Sequence, residues 1–237
     1  MFNKVVGRVG DFFFALGVSL KDRRSGVDKV KNKVEDGVGK KFRKAVNVSE
    51  ENLKLGHGVK ISGNVDILFS DSSQGSLVEV EDGVELKNLK IEVKGKDCHL
   101  KVGRNAKFAG HILLVGRGRK IAIGSESTAV NVYLMARDAD ITIGERCMFS
   151  RGIEIRSSDV HKIYPLGGGE RINPGRDVSI GDHVWIGAKV MVSKGVYIPD
   201  GCVLGACSFV NKSFGDKNCV IAGSPAKVVK KDVEWER

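Results

Sequence analysis

Two side chains carry the most readable chemistry. His161 stands two residues after Asp159 in the segment RSSDVHKIYPLGGGERINPGRD, residues 156–177. An imidazole titrates near neutral pH and can take a proton from a hydroxyl, and a neighbouring carboxylate can hold its tautomer. His161 therefore reads as a candidate general base and Asp159 as its orienting group. A loop histidine without a catalytic part is the competing reading. The other histidines, His57, His99, His111 and His183, sit within or beside repeating units, where a solvated or hydrogen-bonded face accounts for them. Cys98, Cys147, Cys202, Cys207 and Cys219 form an odd set without a C-x-x-C pair. That set fits free thiols in a reducing cytoplasm, and neither a disulfide framework nor a metal site is expected.

The frame that must hold these groups is legible from residue 53 onward. Cutting IGDHVWIGAKVMVSKGVYIPDGCVLGACSFVNKSF every six residues brings Ile180, Ile186, Val192, Ile198, Leu204 and Val210 into register. In a chain that is 41% hydrophobic, six such matches arise by chance about once in two hundred trials. A second apolar position falls at Val178, Val184, Val190 and Val196, and glycine follows the aliphatic residue at Gly181, Gly187 and Gly205. Neither a 3.6-residue helix nor a two-residue strand alternation generates a period of six. The physical reading is a short strand and a corner, three of which close one turn of a triangular coil. The aliphatic side chain points inward, and glycine relaxes the backbone near the corner.

Weaker echoes occur upstream in LKLGHGVKISG, LKVGRNAKF, IAIGSES and ITIGERC, where Gly103, Gly124 and Gly144 recur at roughly one coil plus small insertions. The expected fold is all-β: a parallel β-helix domain over residues 53–223, with about eight coils in 53–211 and a protruding loop at 156–177. An arm at 1–52, helical in part, precedes it. A cap at 224–237 follows, where Pro225 stops the repeat. A loop thrown out of a regular solenoid is where function is expected.

Charge separates the arm from the coils. Residues 1–45 hold 12 Lys+Arg against 5 Asp+Glu, whereas the rest of the chain holds 27 against 24. Phe13, Leu16, Val18 and Leu20 fall on one side of a short helix with basic residues after them. Such a segment suits peripheral contact with an anionic membrane surface, or packing on a partner subunit. Asp11 opens the apolar run, and KDRR stands where a signal peptidase site belongs, so the segment is read as retained. No apolar run reaches the ~18–20 residues of a bilayer-spanning helix. Glycine is abundant but lacks the three-residue period of collagen, and the Val and Ile content excludes a flexible linker.

The segments H-V-W-I-G at 183–187, G-A-C-S-F-V-N-K at 205–212 and A-G-S-P-A-K-V-V-K at 222–230 resemble the left-handed β-helix hexapeptide acyltransferases. More narrowly, S-D-V-H-K-I-Y-P-L-x-x-G-E-R-I-N-P-G-R-D-V-S-I-G-D-H-V-W-I-G is similar to bacterial capsular polysaccharide O-acetyltransferases of the polysialic acid type. The close match spans residues 140–235, the upstream coils match in period only, and the arm does not match. The resemblance implies transfer of acetyl from acetyl-CoA to a hydroxyl of a bacterial surface polysaccharide. It further implies a homotrimer with sites between adjacent subunits; the thiols point to the cytoplasm, and no nucleic-acid partner is expected.

The resemblance makes His161, 24 residues before Trp185, the general base, and sets Trp185 beside the acetyl group. Ala188 matches the residue whose backbone N–H faces the thioester, and Ala206 the small residue against the pantetheine arm. Asn211 and Lys212 match the pair that follows near the donor, although the related capsule enzyme carries an aromatic residue at the first of them. Lys227 and Lys230 match basic positions near the coenzyme A phosphates, acting as point charges. Packing of Trp185 in the repeat and simple solvation of the two tail lysines stay open as alternatives.

Other readings compete. One is N-acetylation of an amino group on a nucleotide-linked sugar. A zinc carbonic anhydrase of this fold needs a histidine pair five residues apart, and Ala188 stands at that offset from His183. A non-catalytic β-helical scaffold is the third.

Overall fold

A computed structural model describes residues 44–237. The amphipathic helix expected in the arm lies outside the described residues. From Lys44 onward the chain is all-β and winds a prism with three faces of parallel strands. The first face collects the opening halves of four long strands, Glu85–Lys94, Lys107–Val115, Thr128–Arg137 and Met148–Arg156. It continues through Trp185–Ile186, Val203–Leu204 and Val220–Gly223. The second face takes Lys44–Val46, Asp66–Phe69, the closing halves of the long strands, then Met191–Val192 and Phe209–Val210. That makes eight rungs among the described residues. The third face stacks Leu53–Leu55, Leu77–Val80, His99–Val102, Lys120–Ile123, Ile141–Ile143, Val178–Ile180 and Tyr197–Ile198.

The solenoid thus begins at Lys44 and not at Leu53, because Lys44–Val46 pairs with Asp66–Leu68 and Val48 is buried. Coil length is uneven. Leu53 lies beside Val78, then Leu100, Ile121, Ile141 and Val178, so successive coils take 25, 22, 21, 20 and 37 residues. Regular 18-residue coils start only at Ser179, which lies beside Tyr197. The extra upstream residues sit at the corner between the first and second faces, where the ladder slips between Ala129 and Val132. The 37-residue coil contains the loop.

All ten apolar residues that the six-residue period singles out point inward and are buried. The glycines after them have a different reason from the one expected. Gly103, Gly124 and Gly144 do not adopt positive φ. A Cβ on Gly124 would lie 2.4 Å from the Gly144 carbonyl group, so close stacking of one coil on the next requires the glycine. The left-handed turn is made two residues later by Asn105, Glu126 and Arg146, with φ between 53° and 60°.

Glu92 faces outward on the second face, yet its neighbours cover it. Lys90 and Lys94 each approach it to 2.9 Å and His111 Nε2 to 2.7 Å. Burial alone raises a carboxyl pKa. Here the two lysines and His111 outweigh it and lower Glu92 from 4.5 to about 2. An acid with a depressed folded pKa stabilises above its unfolded value, and that stability is lost as pH falls toward the folded one. Burial first, with the lysines, also holds His111 below its ordinary value, and the sign is the same. Thermal melting between pH 4.5 and about 2 is expected to fall less steeply in Glu92→Gln than in the parent. Parallel curves would dismiss the assignment.

Candidate active site

The loop leaves the second face after Arg156 and returns at Val178 on the third, so it stands on the corner between them. Its root is fixed by two buried serines. Ser157 Oγ donates to Ala139 O (2.8 Å) and accepts from the Arg137 N–H (3.0 Å), while Ser158 Oγ donates to Asp138 Oδ2 (3.0 Å). Next comes a three-residue turn in which the His161 N–H donates to Asp159 O (2.8 Å) and Val160 takes φ 71°. A β-branched residue in that conformation is strained, and such turns persist only where the surroundings impose them.

The surroundings are dominated by Asn173, which is buried. Its Nδ2 donates to His161 O (2.8 Å) and Asp159 Oδ2 (3.0 Å), and its Oδ1 accepts from the Ile163 N–H (2.7 Å) and Arg171 Nε (3.3 Å). Arg171 in turn reaches Asp138 Oδ2 at 3.1 Å. Asp159 does not orient the His161 ring. Its carboxylate pairs closely with Lys194 and with Asn173, and the hydrogen bond from Lys194 is the main reason its pKa is lowered. The His161 ring is exposed and makes no hydrogen bond among the described residues. Asn173→Ala removes four hydrogen bonds and leaves the His161 carbonyl group unpaired, at a local cost of about 1–3 kcal/mol. Limited proteolysis is expected to cut within residues 161–172 several times faster in that variant, and equal rates would show that Asn173 does not fasten the loop.

The remaining candidates fall on other parts of the prism. Trp185 points outward from the first face, flanked in register by Met148 and Val203, with 38% of its surface exposed. Ala188 and Ala206 stack at the corner between the first and second faces, where the Cys207 N–H donates to Ala188 O at 2.8 Å. Lys227 lies one step from that column, in register with Ala222 beside Gly205, and Lys230 lies opposite Val220 on the first face. Asn211 and Lys212 follow the second face at the loop's own corner, one coil below Ser193 and Lys194. The Lys212 ammonium sits 5.8 Å from the Phe214 ring centre.

The alanine column has a property that the residue types explain. At the corner between the third and first faces, the Glu145 and Asp182 N–H groups, each following a glycine, are capped from the coil below. Asp182 caps the first at 2.8 Å and Asp200 the second at 3.0 Å. Ala188 and Ala206 occupy the same step after Gly187 and Gly205, but a methyl group has no oxygen to cap the coil above. Their N–H groups have no acceptor among the described residues, and a short row of outward amide donors results. Such donors suit a developing oxyanion.

Comparison with known proteins agrees with this architecture. The family described as bacterial transferase hexapeptide (six repeats) matches residues 177–212. The chain is 35% identical over 193 residues to the polysialic acid O-acetyltransferase of Neisseria meningitidis, covering 81% of this chain and 85% of that protein. The chain belongs to the hexapeptide-repeat acyltransferase family. It is also 34% identical over 140 residues to a polysialic acid O-acetyltransferase of Escherichia coli O1:K1 / APEC, a match that spans 45% of that relative's length. Among solved structures, the polySia specific acetyltransferase NeuO superposes with a TM-score of 0.70 at 28% identity, over 85% of this chain and 90% of that one. The parallel β-helix expected from the repeats, left-handed as the family resemblance implies, is the fold of this acyltransferase.

Several groups of this acyltransferase escaped the sequence reading. Lys194 and Asn173 lie 35 and 14 residues from Asp159, and no local pattern ties them to it. The four repeat histidines are solvated or hydrogen-bonded, as expected: His57 is exposed, His99 faces Glu79 at 3.2 Å, His111 faces Glu92, and His183 bonds Trp235. The segment after Lys230 was expected to be a polar cap. It instead runs back along the prism and buries Trp235.

Proposed function

We propose that this acyltransferase moves acetyl from acetyl-CoA to a hydroxyl of an acidic capsular polysaccharide, in a homotrimer whose active sites lie between neighbouring copies. The observation that carries the reading is the separation of His161 from its expected companions. The loop stands on one corner of the prism, while Trp185 occupies the first face and Ala188 and Ala206 a second corner. One chain cannot close this set on a single substrate. A second copy that turns its alanine column toward the loop completes it, and Ile163, Tyr164 and Leu166, exposed at the loop tip, supply apolar surface for that contact.

In this arrangement His161 takes the proton of the acceptor hydroxyl as its oxygen attacks the thioester carbonyl. The Ala188 N–H stabilises the oxyanion, and the coenzyme A thiolate leaves with the proton returned by His161. Trp185 walls the acetyl group. Ala206 admits the pantetheine arm, Asn211 and Lys212 border it, and Lys227 and Lys230 meet the phosphates. The names of the relatives support polysialic acid, or a polymer of similar acidity, as acceptor. The free thiols support a cytoplasmic setting, and the basic residues 1–45 suit contact with an anionic membrane surface.

The test is thiol release from acetyl-CoA with polysialic acid as acceptor, followed by complementation. His161→Ala and Trp185→Ala, each inactive alone, are co-refolded in equal amounts. Shared sites recover about one functional site in four. Sites contained in one chain recover none, and that result would remove the intersubunit reading. Acetylation of a nucleotide-linked amino sugar in place of the polymer would replace the acceptor assignment.

A further inference from the structure

We infer that Trp235 is a positioning residue that clamps Trp185 in the orientation the donor pocket requires. The inference rests on the reading of Trp185 as a wall of that pocket. Beyond Lys230 the chain turns back along the corner between the third and first faces. The Val233 N–H donates to Asn218 O at 2.9 Å, and Trp235 then reaches His183, two coils away along the axis. There the indole lies flat on the imidazole, with ring centres 4.1 Å apart and planes within 6°. Trp235 Nε1 donates to His183 O (3.0 Å), and His183 Nε2 faces Trp235 O (3.1 Å). A carbonyl oxygen only accepts, so Nε2 carries the proton. Arg237 fastens the segment further, donating to Cys147 O at 3.1 Å and Glu126 O at 3.3 Å.

The purpose of so many contacts is visible one step on. Trp235 is only 7% exposed and packs 6.0 Å from Trp185 at a 44° tilt, within the range in which aromatic rings attract. Trp185 sits on a two-residue strand, and its neighbours in register, Met148 and Val203, are not aromatic. Among the described residues Trp235 is its only aromatic partner. His183, held from both ends by Trp235, occupies the left-handed turn two residues before Trp185, at φ 53°. The clamp therefore fixes both the backbone that presents Trp185 and one flank of its ring. A reactive centre displaced by about 1 Å loses on the order of a hundredfold in rate, so the flank matters to the chemistry.

These are the chain's two tryptophans, which makes the test direct. In the full-length protein without donor, the coupled indoles are expected to give an exciton couplet in circular dichroism that disappears in Trp235→Phe and Trp235→Ala. Trp185 then emits alone, and acrylamide is expected to quench it more readily in Trp235→Ala than in Trp235→Phe. With acetyl-CoA and polysialic acid, Trp235→Ala is expected to lower kcat/KM for the donor about ten- to a hundredfold. KM for the acceptor stays unchanged, and Trp235→Phe restores most of the loss. If Trp235→Ala does not fold, Trp235→Leu keeps the apolar cover without the ring face and is read the same way. A folded variant with parental donor kinetics and parental Trp185 quenching overturns the proposal. A parent that shows the couplet but transfers no acetyl overturns the donor-pocket reading and the positioning role with it. Turnover without a couplet overturns the clamp alone.

Discussion

Acceptor-dependent release of coenzyme A is expected to fall by about 10²–10⁴-fold in His161→Ala, with acetyl-CoA binding unchanged. The expectation is sharp because the side chain has so little structural work. His161 is exposed, and among the described residues its hydrogen bonds run through its backbone alone, to Asp159 O and from Asn173. Alanine keeps both. A loss of rate in a variant that melts like the parent therefore reports proton transfer and not a displaced loop. Asp159→Asn separates the two effects. Its carboxylate faces Lys194 and Asn173, so the substitution weakens the root of the loop and is expected to cost less rate than His161→Ala. Steady-state kinetics of the two variants decide the matter, and turnover of His161→Ala within tenfold of the parent would end the general-base assignment.

The second large effect is on stability. Phe108→Ala is expected to cost about 3–5 kcal/mol, read from urea unfolding. Phe108 and Phe149 are both buried on the first face and meet edge to face, with ring centres 6.3 Å apart and planes at 79°. They do not sit on adjacent rungs. Ala129 stands in register between them, and its small side chain leaves the space in which the two rings touch. Removing one ring opens a void bounded by hydrogen-bonded strands that cannot collapse into it, which places the cost high in the usual range. Phe108→Leu refills most of the volume and is expected to cost less than about 1.5 kcal/mol. Equal losses in the two variants would show that the ring contact contributes little.

The interior of the coils was legible because burial repeats there every six residues from Val178 to Val210 and polar insertions are absent. Upstream, the additional residues in each coil blur that period. Gly103, Gly124 and Gly144 still mark one coil each, since their lack of a side chain is demanded by the backbone of the next coil. The long strands that turn a corner without a break were not legible. A strand such as Thr128–Arg137 changes face through a register slip that no residue type announces. In the candidate site, the loop that carries His161 and the coil steps of Trp185, Ala188 and Ala206 follow from the repeat, but the partner of Asp159 was not legible. Adjacency in sequence favours His161, whereas the turn at Val160 carries the imidazole away and Lys194, 35 residues on, brings the nearest positive charge. The contact of Trp235 with His183 spans 52 residues and leaves no periodic trace.

The 37-residue coil has a consequence for how such a molecule can diversify. Ile141 meets Val178 in the same register that joins Ile121 to Ile141, so the ladder does not sense what is inserted between them. The entropy of closing a loop grows only with the logarithm of its length, and doubling it costs about 0.6 kcal/mol. Length and sequence at the loop tip, residues 164–170, can therefore change at little cost to the prism, while Asp159, His161, Arg171 and Asn173 hold the root and the alanine column stays in place. Rewriting that tip changes what the loop presents to solvent, with the coils beneath it inherited unaltered.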